Sequence, residues 1–162
     1  AFFYFQKGSQ FQKLLHELKY RDNKEIGEIM GRYAAAELLE SVDFNTVDVI
    51  IPIPLHPKKY AKRGYNQSEW IGKGLSTVFN KPQDINSMKR VIENTTQTKK
   101  SVFERYENTE GIFELTDSKN LENKHILLVD DVLTTGSTIE AAINTLLRVT
   151  NVKISIFTLA TA

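Results

Sequence analysis

The segment HILLVDDVLTTGSTIEAA (residues 125–142) constrains the fold more than any other part of the chain. It places a short run of branched apolar residues, Ile126 to Val129, directly before two adjacent carboxylates. Such a run is typical of a strand that is buried on both faces of a parallel sheet. From Ser137 the apolar residues recur at helical spacing, and Ser137 and Glu140 have the spacing of a capping box. The segment therefore predicts a strand, a loop and a helix, in that order.

The predicted loop has the composition of a phosphate-binding site. Its small residues can offer backbone N–H groups and hydroxyls at the positive end of a helix dipole, and its glycine permits close backbone approach. These residues are Thr134, Thr135, Gly136, Ser137 and Thr138. In open α/β sheets ligands bind at the carboxyl ends of the strands, where such a loop lies.

Asp130 and Asp131 have the opposite character, because unpaired carboxylates beside a buried strand are costly and repel a phosphate. They need hydrogen-bond donors or a metal. Carboxylates bind ribose hydroxyls in the dinucleotide folds, so a ribose 5-phosphate satisfies both halves of the segment. An ordinary turn with solubilising acids stays open as the alternative at this point.

Three other phosphate chemistries fit the sequence poorly. A receiver domain needs a phosphoacceptor aspartate well downstream of its paired acids, and no aspartate follows Asp131. A haloacid-dehalogenase phosphatase needs acids two positions apart, whereas position 132 is a valine. The stretch IGKG (71–74) lacks the leading glycine and the following Ser or Thr of a Walker motif.

Composition agrees with one enzyme-sized domain of 162 residues, 41% hydrophobic and 25% charged. The net charge of +1 gives no polyelectrolyte signal for nucleic acid or membrane, and no apolar run reaches transmembrane length. The absence of cysteine excludes disulfides and thiol chemistry. We expect a cytoplasmic protein without membrane insertion, and we interpret the start AFFYFQ as a strand exposed by truncation, with material missing upstream.

The rest of the chain alternates between helical and strand patterns, which predicts a parallel α/β sheet flanked by helices. Further strands are predicted at 47–54, 111–115 and 151–160. Helices are predicted at 9–18, from Asp22 or Asn23 onward, and at 66–79. The second helix has a predicted packing face whose residues recur at helical spacing: Ile26, Ile29, Met30, Tyr33, Glu37 and Leu38.

A second notable segment, IPIPLHPKKYAKRGYNQSEWIGKGL (51–75), joins a buried strand, a proline-stiffened turn and a helix opened by Asn66. Its basic cluster consists of Lys58, Lys59, Lys62 and Arg63. A diphosphate fits such a cluster, and a solvated basic face is the alternative.

The stretch LLVDDVLTTGST resembles the phosphoribosyl pyrophosphate (PRPP) signature of the type I phosphoribosyltransferases. The resemblance implies that Asp130 and Asp131 hold the ribose hydroxyls and that 134–138 holds the 5-phosphate. It implies an open twisted parallel sheet flanked by helices, with a mobile lid and a small N-terminal helical hood. The whole chain is then one domain, with the strand and helices of the hood in 1–45 and the PRPP-binding core in 46–162.

The stretch PIPLHPKKYAKRGYNQSE resembles the competence protein ComF group within that family, with Tyr65 in place of a phenylalanine. LKYR (18–21) is similar to the same group. The PRPP-binding residues that the two resemblances imply are Ile53, Pro54, Leu55, Arg63, Asp130, Asp131, Val132, Leu133, Thr134, Thr135, Gly136, Ser137 and Thr138. ComF proteins commonly carry a cysteine-rich zinc module, and we expect no zinc in this cysteine-free chain.

Residues 89–108 are polar and basic, which favours an exposed hairpin or loop. The family resemblance implies instead a mobile catalytic lid. The positions that match the ComF pattern are Arg90, Thr96, Gln97, Arg105 and Asn108, with Lys99 and Lys100 between them. The catalytic residues so implied are Asp130, Asp131, Lys99 and Arg105.

The resemblance implies an enzyme that uses PRPP and Mg²⁺ to transfer a phosphoribosyl group to an unidentified base or amine. Mg²⁺ is expected at Asp130 and Asp131, directly or through water. A role in DNA uptake during natural transformation follows, with competence-machinery proteins and single-stranded DNA as partners, and a homodimer stays open. The alternative is a catalytically silent module that senses PRPP or assists uptake of single-stranded DNA.

Overall fold

The computed structural model describes residues 3–4, 17–18, 23–92 and 111–161. The strands are β1 (Phe3–Tyr4), β2 (Val49–Pro52), β3 (Met88–Arg90), β4 (Phe113–Leu115), β5 (His125–Leu133) and β6 (Lys153–Thr161). The helices are α1 (Glu25–Leu38), α2 (Pro57–Arg63), α3 (Gln67–Phe79) and α4 (Ser137–Leu146), with 3-10 turns at Val42–Phe44 and Lys119–Leu121. None of the helices in these ranges is both long and apolar enough to span a bilayer.

Four strands form a parallel sheet, as the sequence predicts, and their order in the sheet is β1, β6, β5, β2. The first half of β5, from His125 to Val129, is buried on both faces, because successive side chains enter opposite layers. Leu127 and Val129 pack with α1 and α3 on one face, whereas Ile126 and Leu128 pack with α4 and β4 on the other. A run of branched apolar residues is therefore required in this strand.

The predicted strand at 111–115 forms, but its expected place in the parallel sheet was wrong. It is β4, which pairs antiparallel with β3 in a separate two-stranded sheet. Met88 and Phe113 turn their side chains inward and join the core layer beneath α4. Three-residue strands show too little alternation for the sequence to reveal β3 or the pairing direction.

The inward face predicted for α1 was only partly right. Met30 and Leu38 pack against the core as expected, whereas Ile29 and Tyr33 are 64% and 63% exposed. The buried residues of α1 are the small ones, Gly27, Gly31, Ala34 and Ala35. α3 packs so closely against α1 that only small side chains fit between them. A prediction based on the spacing of large apolar residues does not detect this face. Of the helix predicted at 9–18, only residues 17–18 are described, and these are helical.

Candidate active site

A pocket that is open to solvent lies at the carboxyl end of β5. Its lining residues are Asp130, Val132, Leu133, Thr134, Gly136, Thr138 and Ile139. All but Ile139 are residues that the sequence assigns to PRPP binding. Asp131, Thr135 and Ser137 do not line this pocket, and the hydroxyls of Thr135 and Ser137 lie 3.1 Å apart.

The loop between β5 and α4 is shorter than predicted. β5 continues past Val129 to Leu133, because residues from Asp130 onward still pair with β6. α4 begins at Ser137 with Gly136 as its N-cap, at φ +80° and without a side-chain capping bond, so the predicted capping box is wrong. The short loop leaves backbone N–H groups at the first turn of α4 beside the pocket, which suits an anion.

Asp130 is held by two donors that meet at one carboxylate oxygen. The Ser68 hydroxyl donates to Oδ1 at 3.0 Å, and the Asp131 backbone N–H donates to the same oxygen at 2.9 Å. Ser68 lies in the first turn of α3 and is 3% exposed. Sequence reasoning assigned no role to this serine, although it lies within the RGYNQS stretch.

Arg90 supplies a buried positive charge near Asp130. Burial lowers the pKa of the Arg90 guanidinium, and the negative charge of Asp130 acts to raise it. The guanidinium lies 5.4 Å from the Phe113 ring centroid, and its Nε donates to the Ile92 carbonyl at 3.3 Å. An arginine remains charged in such a setting. At Arg90, therefore, the expected exposure was wrong, although the residue does lie in an antiparallel strand pair.

The segment after β2 lies beside the same acids. The Ile53 N–H donates to the Val129 carbonyl at 2.8 Å, so the chain after β2 runs beside β5 up to the residue before Asp130. Ile53 is buried, and Pro54 and Leu55 are half-buried. The two sequence segments that the resemblance assigns to the two ends of PRPP thus meet at one edge of the sheet.

The basic cluster lies on α2, a short helix that the sequence pattern did not predict. His56 caps it by accepting a 3.3 Å hydrogen bond from the Lys58 N–H. Lys58 and Lys62 are exposed. Arg63 at the end of α2 donates to Gln67 Oε1 at 2.6 Å.

The first turn of α3 contains further polar residues that sequence reasoning missed. Gln67 is 2% exposed, and its Nε2 has no hydrogen-bond partner in the described part of the chain. Burial raises the pKa of the Glu69 carboxyl, and a hydrogen bond from Asn66 opposes that shift. Asn66 is the N-cap of α3, as predicted. The signal for these residues was the polar run NQSE at the start of an otherwise apolar helix.

The donor set at the pocket fits Mg²⁺ that is shared with a ligand. Asp130 and Asp131 offer carboxylate oxygens, and Mg²⁺ sites commonly combine one or two carboxylates with phosphates and water. Within residues 23–92 and 111–161, no cluster of three or more His, Asp or Glu side chains can hold a metal by itself. The predicted lid residues Thr96, Gln97, Lys99, Lys100, Arg105 and Asn108 lie outside the described residues.

Comparison with known proteins agrees with the fold and the motifs. Residues 18–162 match the family model described as "Phosphoribosyl transferase domain". Competence protein F of Haemophilus influenzae is 33% identical over 83% of this chain and 60% of its own length. DNA utilization protein YhgH of Shigella flexneri is 31% identical with the same coverage, so the chain spans about 60% of the length of these relatives.

A solved structure shows the same architecture. The purine phosphoribosyltransferase from Pyrococcus horikoshii Ot3 superposes with a TM-score of 0.50 at 21% identity, over 81% of this chain and 70% of that one. At that identity the likeness concerns the fold alone.

Proposed function

This chain belongs to the phosphoribosyltransferase family, and we propose on that premise that its pocket binds PRPP with Mg²⁺ for transfer of the phosphoribosyl group to a base or amine. One observation carries the proposal. Asp130 lines the same pocket as Thr134, Gly136 and Thr138. A carboxylate that can bind the ribose hydroxyls therefore lies next to residues that can bind a phosphate, as a ribose phosphate requires.

Each end of the ligand has its own set of residues in the proposed complex. Backbone N–H groups and hydroxyls of 134–138 hold the 5-phosphate, aided by the dipole of α4. Asp130 and Asp131 accept hydrogen bonds from the ribose hydroxyls. The segment that begins at Ile53 holds the diphosphate, with Arg63 as its nearby cation. The parallel pairing of β2 with β5 supports this division, because it brings the two segments to the same end of the sheet.

Breaking the bond between C1 and the diphosphate creates positive charge on the ribose and negative charge on the leaving group, so catalysis requires stabilisation of both. The carboxylate of Asp130 lies on the ribose side and favours the positive charge. Bound Mg²⁺ supplies neutralisation of the diphosphate. Lys99 and Arg105 are proposed to cover the site and exclude water. Among the described residues we assign no general base, and the acceptor supplies its own nucleophile.

The relatives' names suggest the biological setting. They are called competence and DNA utilization proteins, and we propose that this chain serves DNA uptake in the same way. The second candidate is a protein that binds PRPP as a signal without turning it over.

Titration calorimetry and melting scans test the PRPP site. PRPP with Mg²⁺ at a hundred times its dissociation constant should stabilise the fold by about 2.7 kcal/mol. Single-stranded DNA should give a smaller shift that disappears as salt rises, because it depends on counterion release. A large shift with DNA and none with PRPP and Mg²⁺ overturns the proposal in favour of a nucleic-acid module.

The acids provide the matched variant. Asp130→Asn combined with Asp131→Asn should abolish PRPP binding, whereas the variant should still unfold cooperatively in a melting scan, because asparagine has the same shape and can still accept the Ser68 hydrogen bond. Unchanged PRPP affinity in this double variant contradicts the assignment of the acids.

A screen of nucleobases and amines for diphosphate release separates the two candidate functions. An acceptor that releases diphosphate from PRPP in the wild-type protein, and not in the double variant, identifies an enzyme. Tight PRPP binding without release for any acceptor favours the signal-binding candidate.

A further inference from the structure

The orientation of Asp130 depends on a residue from a distant part of the chain. Its Oδ1 accepts hydrogen bonds from the Ser68 hydroxyl at 3.0 Å and from the Asp131 N–H at 2.9 Å. Two donors on one oxygen restrict rotation of the carboxylate plane. The Asp131 N–H belongs to the adjacent peptide, whereas the Ser68 hydroxyl comes from α3, another element of the fold.

Ser68 is itself held in place by contacts that do not involve the pocket. The Asn66 side chain accepts a hydrogen bond from the Ser68 N–H at 3.2 Å and donates to the Ile53 carbonyl at 2.9 Å. Ile53 in turn bonds to the Val129 carbonyl at 2.8 Å. The first turn of α3 is therefore fixed against both β2 and β5, and the buried Ser68 hydroxyl has a defined position.

We propose that Ser68 is a positioning residue that holds the Asp130 carboxylate in the orientation that the ligand of the pocket requires. The inference rests on the proposed function, because it concerns how the PRPP site is prepared in advance. Without the hydroxyl, the carboxylate loses one of the donors that fix its orientation, and part of that ordering then has to occur when the ligand binds. Ordering one side chain on binding weakens affinity by about threefold to tenfold.

The test compares two serine-to-alanine changes on one helix. Ser68→Ala should weaken binding of PRPP with Mg²⁺ by about threefold to tenfold in calorimetry. Ser76→Ala is the control, because the Ser76 hydroxyl also makes a hydrogen bond, to the Lys81 carbonyl at 2.6 Å near the other end of α3. That variant should bind PRPP as the wild-type protein does. Wild-type affinity in Ser68→Ala, or equal losses in both variants, overturns the role of Ser68.

A ligand-free measurement separates failure of this inference from failure of the proposed function. Melting temperatures are measured for Ser68→Ala, Asp130→Ala and the double variant without PRPP. The double variant should shift by less than the two single shifts together, because both changes remove the same hydrogen bond. If the wild-type protein binds no PRPP, the proposed function fails. In that case, additive melting shifts also contradict the hydrogen bond between Ser68 and Asp130, whereas non-additive shifts support it.

Discussion

Gly74→Ala tests whether the crossing of α1 and α3 positions the site. A Cβ atom at Gly74 lies 2.2 Å from the Glu28 carbonyl oxygen and 2.7 Å from the Arg32 nitrogen. Both obstacles are backbone atoms of α1, so no change of rotamer relieves them. The reciprocal position Gly31 is equally tight, at 2.2 Å from the Ile71 carbonyl oxygen. The two helices therefore touch through their backbones and must separate to accept a methyl group.

The expected magnitude follows from two opposing effects. Alanine is favoured over glycine in a helix interior by about 1 kcal/mol. Overpacking costs about 1–3 kcal/mol, and the cost here lies at or above the upper end because the contacts involve rigid backbone. We expect a net loss of about 2 kcal/mol in the free energy of unfolding, which lowers the melting temperature by about 4–8 °C for a domain of this size. Displacement of α3 should also weaken PRPP binding, because Asn66 and Ser68 move with it.

Gly72→Ala is the matched control on the same helix. A Cβ atom there lies 2.7 Å from Gln83 Nε2, the end of a flexible side chain that can move away. Losing the 2.8 Å hydrogen bond from that atom to the Glu69 carbonyl costs about 1 kcal/mol, which offsets the gain in helix propensity. Thermal and urea unfolding of both variants give the comparison. A Gly74→Ala protein that melts at or above the Gly72→Ala protein refutes the reasoning.

Two further predictions concern pH and the phosphate loop. Burial, reinforced by the charge of Lys153, lowers the pKa of His125, so its stabilising contribution is complete above the unfolded value of about 6.5 and is lost as pH falls through the folded pKa. Melting temperature should therefore drop as pH falls below about 6.5, less so in His125→Gln, and an identical drop in both proteins contradicts the assignment. Gly136→Ala has room for its methyl group, 3.8 Å from Leu133 Cδ1, but places alanine at φ +80°. It should cost about 1–2 kcal/mol in urea unfolding and weaken PRPP binding in calorimetry, and wild-type values in both contradict the role of the loop.

The sequence alone determined the elements whose residues interact locally. The apolar run before Asp130 indicated the buried first half of β5, and the change to helical spacing at Ser137 indicated the start of α4. Asn66 marked the start of α3. These features depend on periodicity, capping and turn chemistry within a few residues, so they can be predicted from the sequence alone.

Tertiary structure decided every feature that depends on approach between distant segments. The buried face of α1 contains glycine and alanine because another helix lies against it. The pairing of β4 with β3, the burial of Arg90 and the bond from Ser68 to Asp130 join residues that are far apart in the chain. A linear pattern shows which side chains can donate or pack. It does not show which partner they meet, because that is fixed by packing of the whole core.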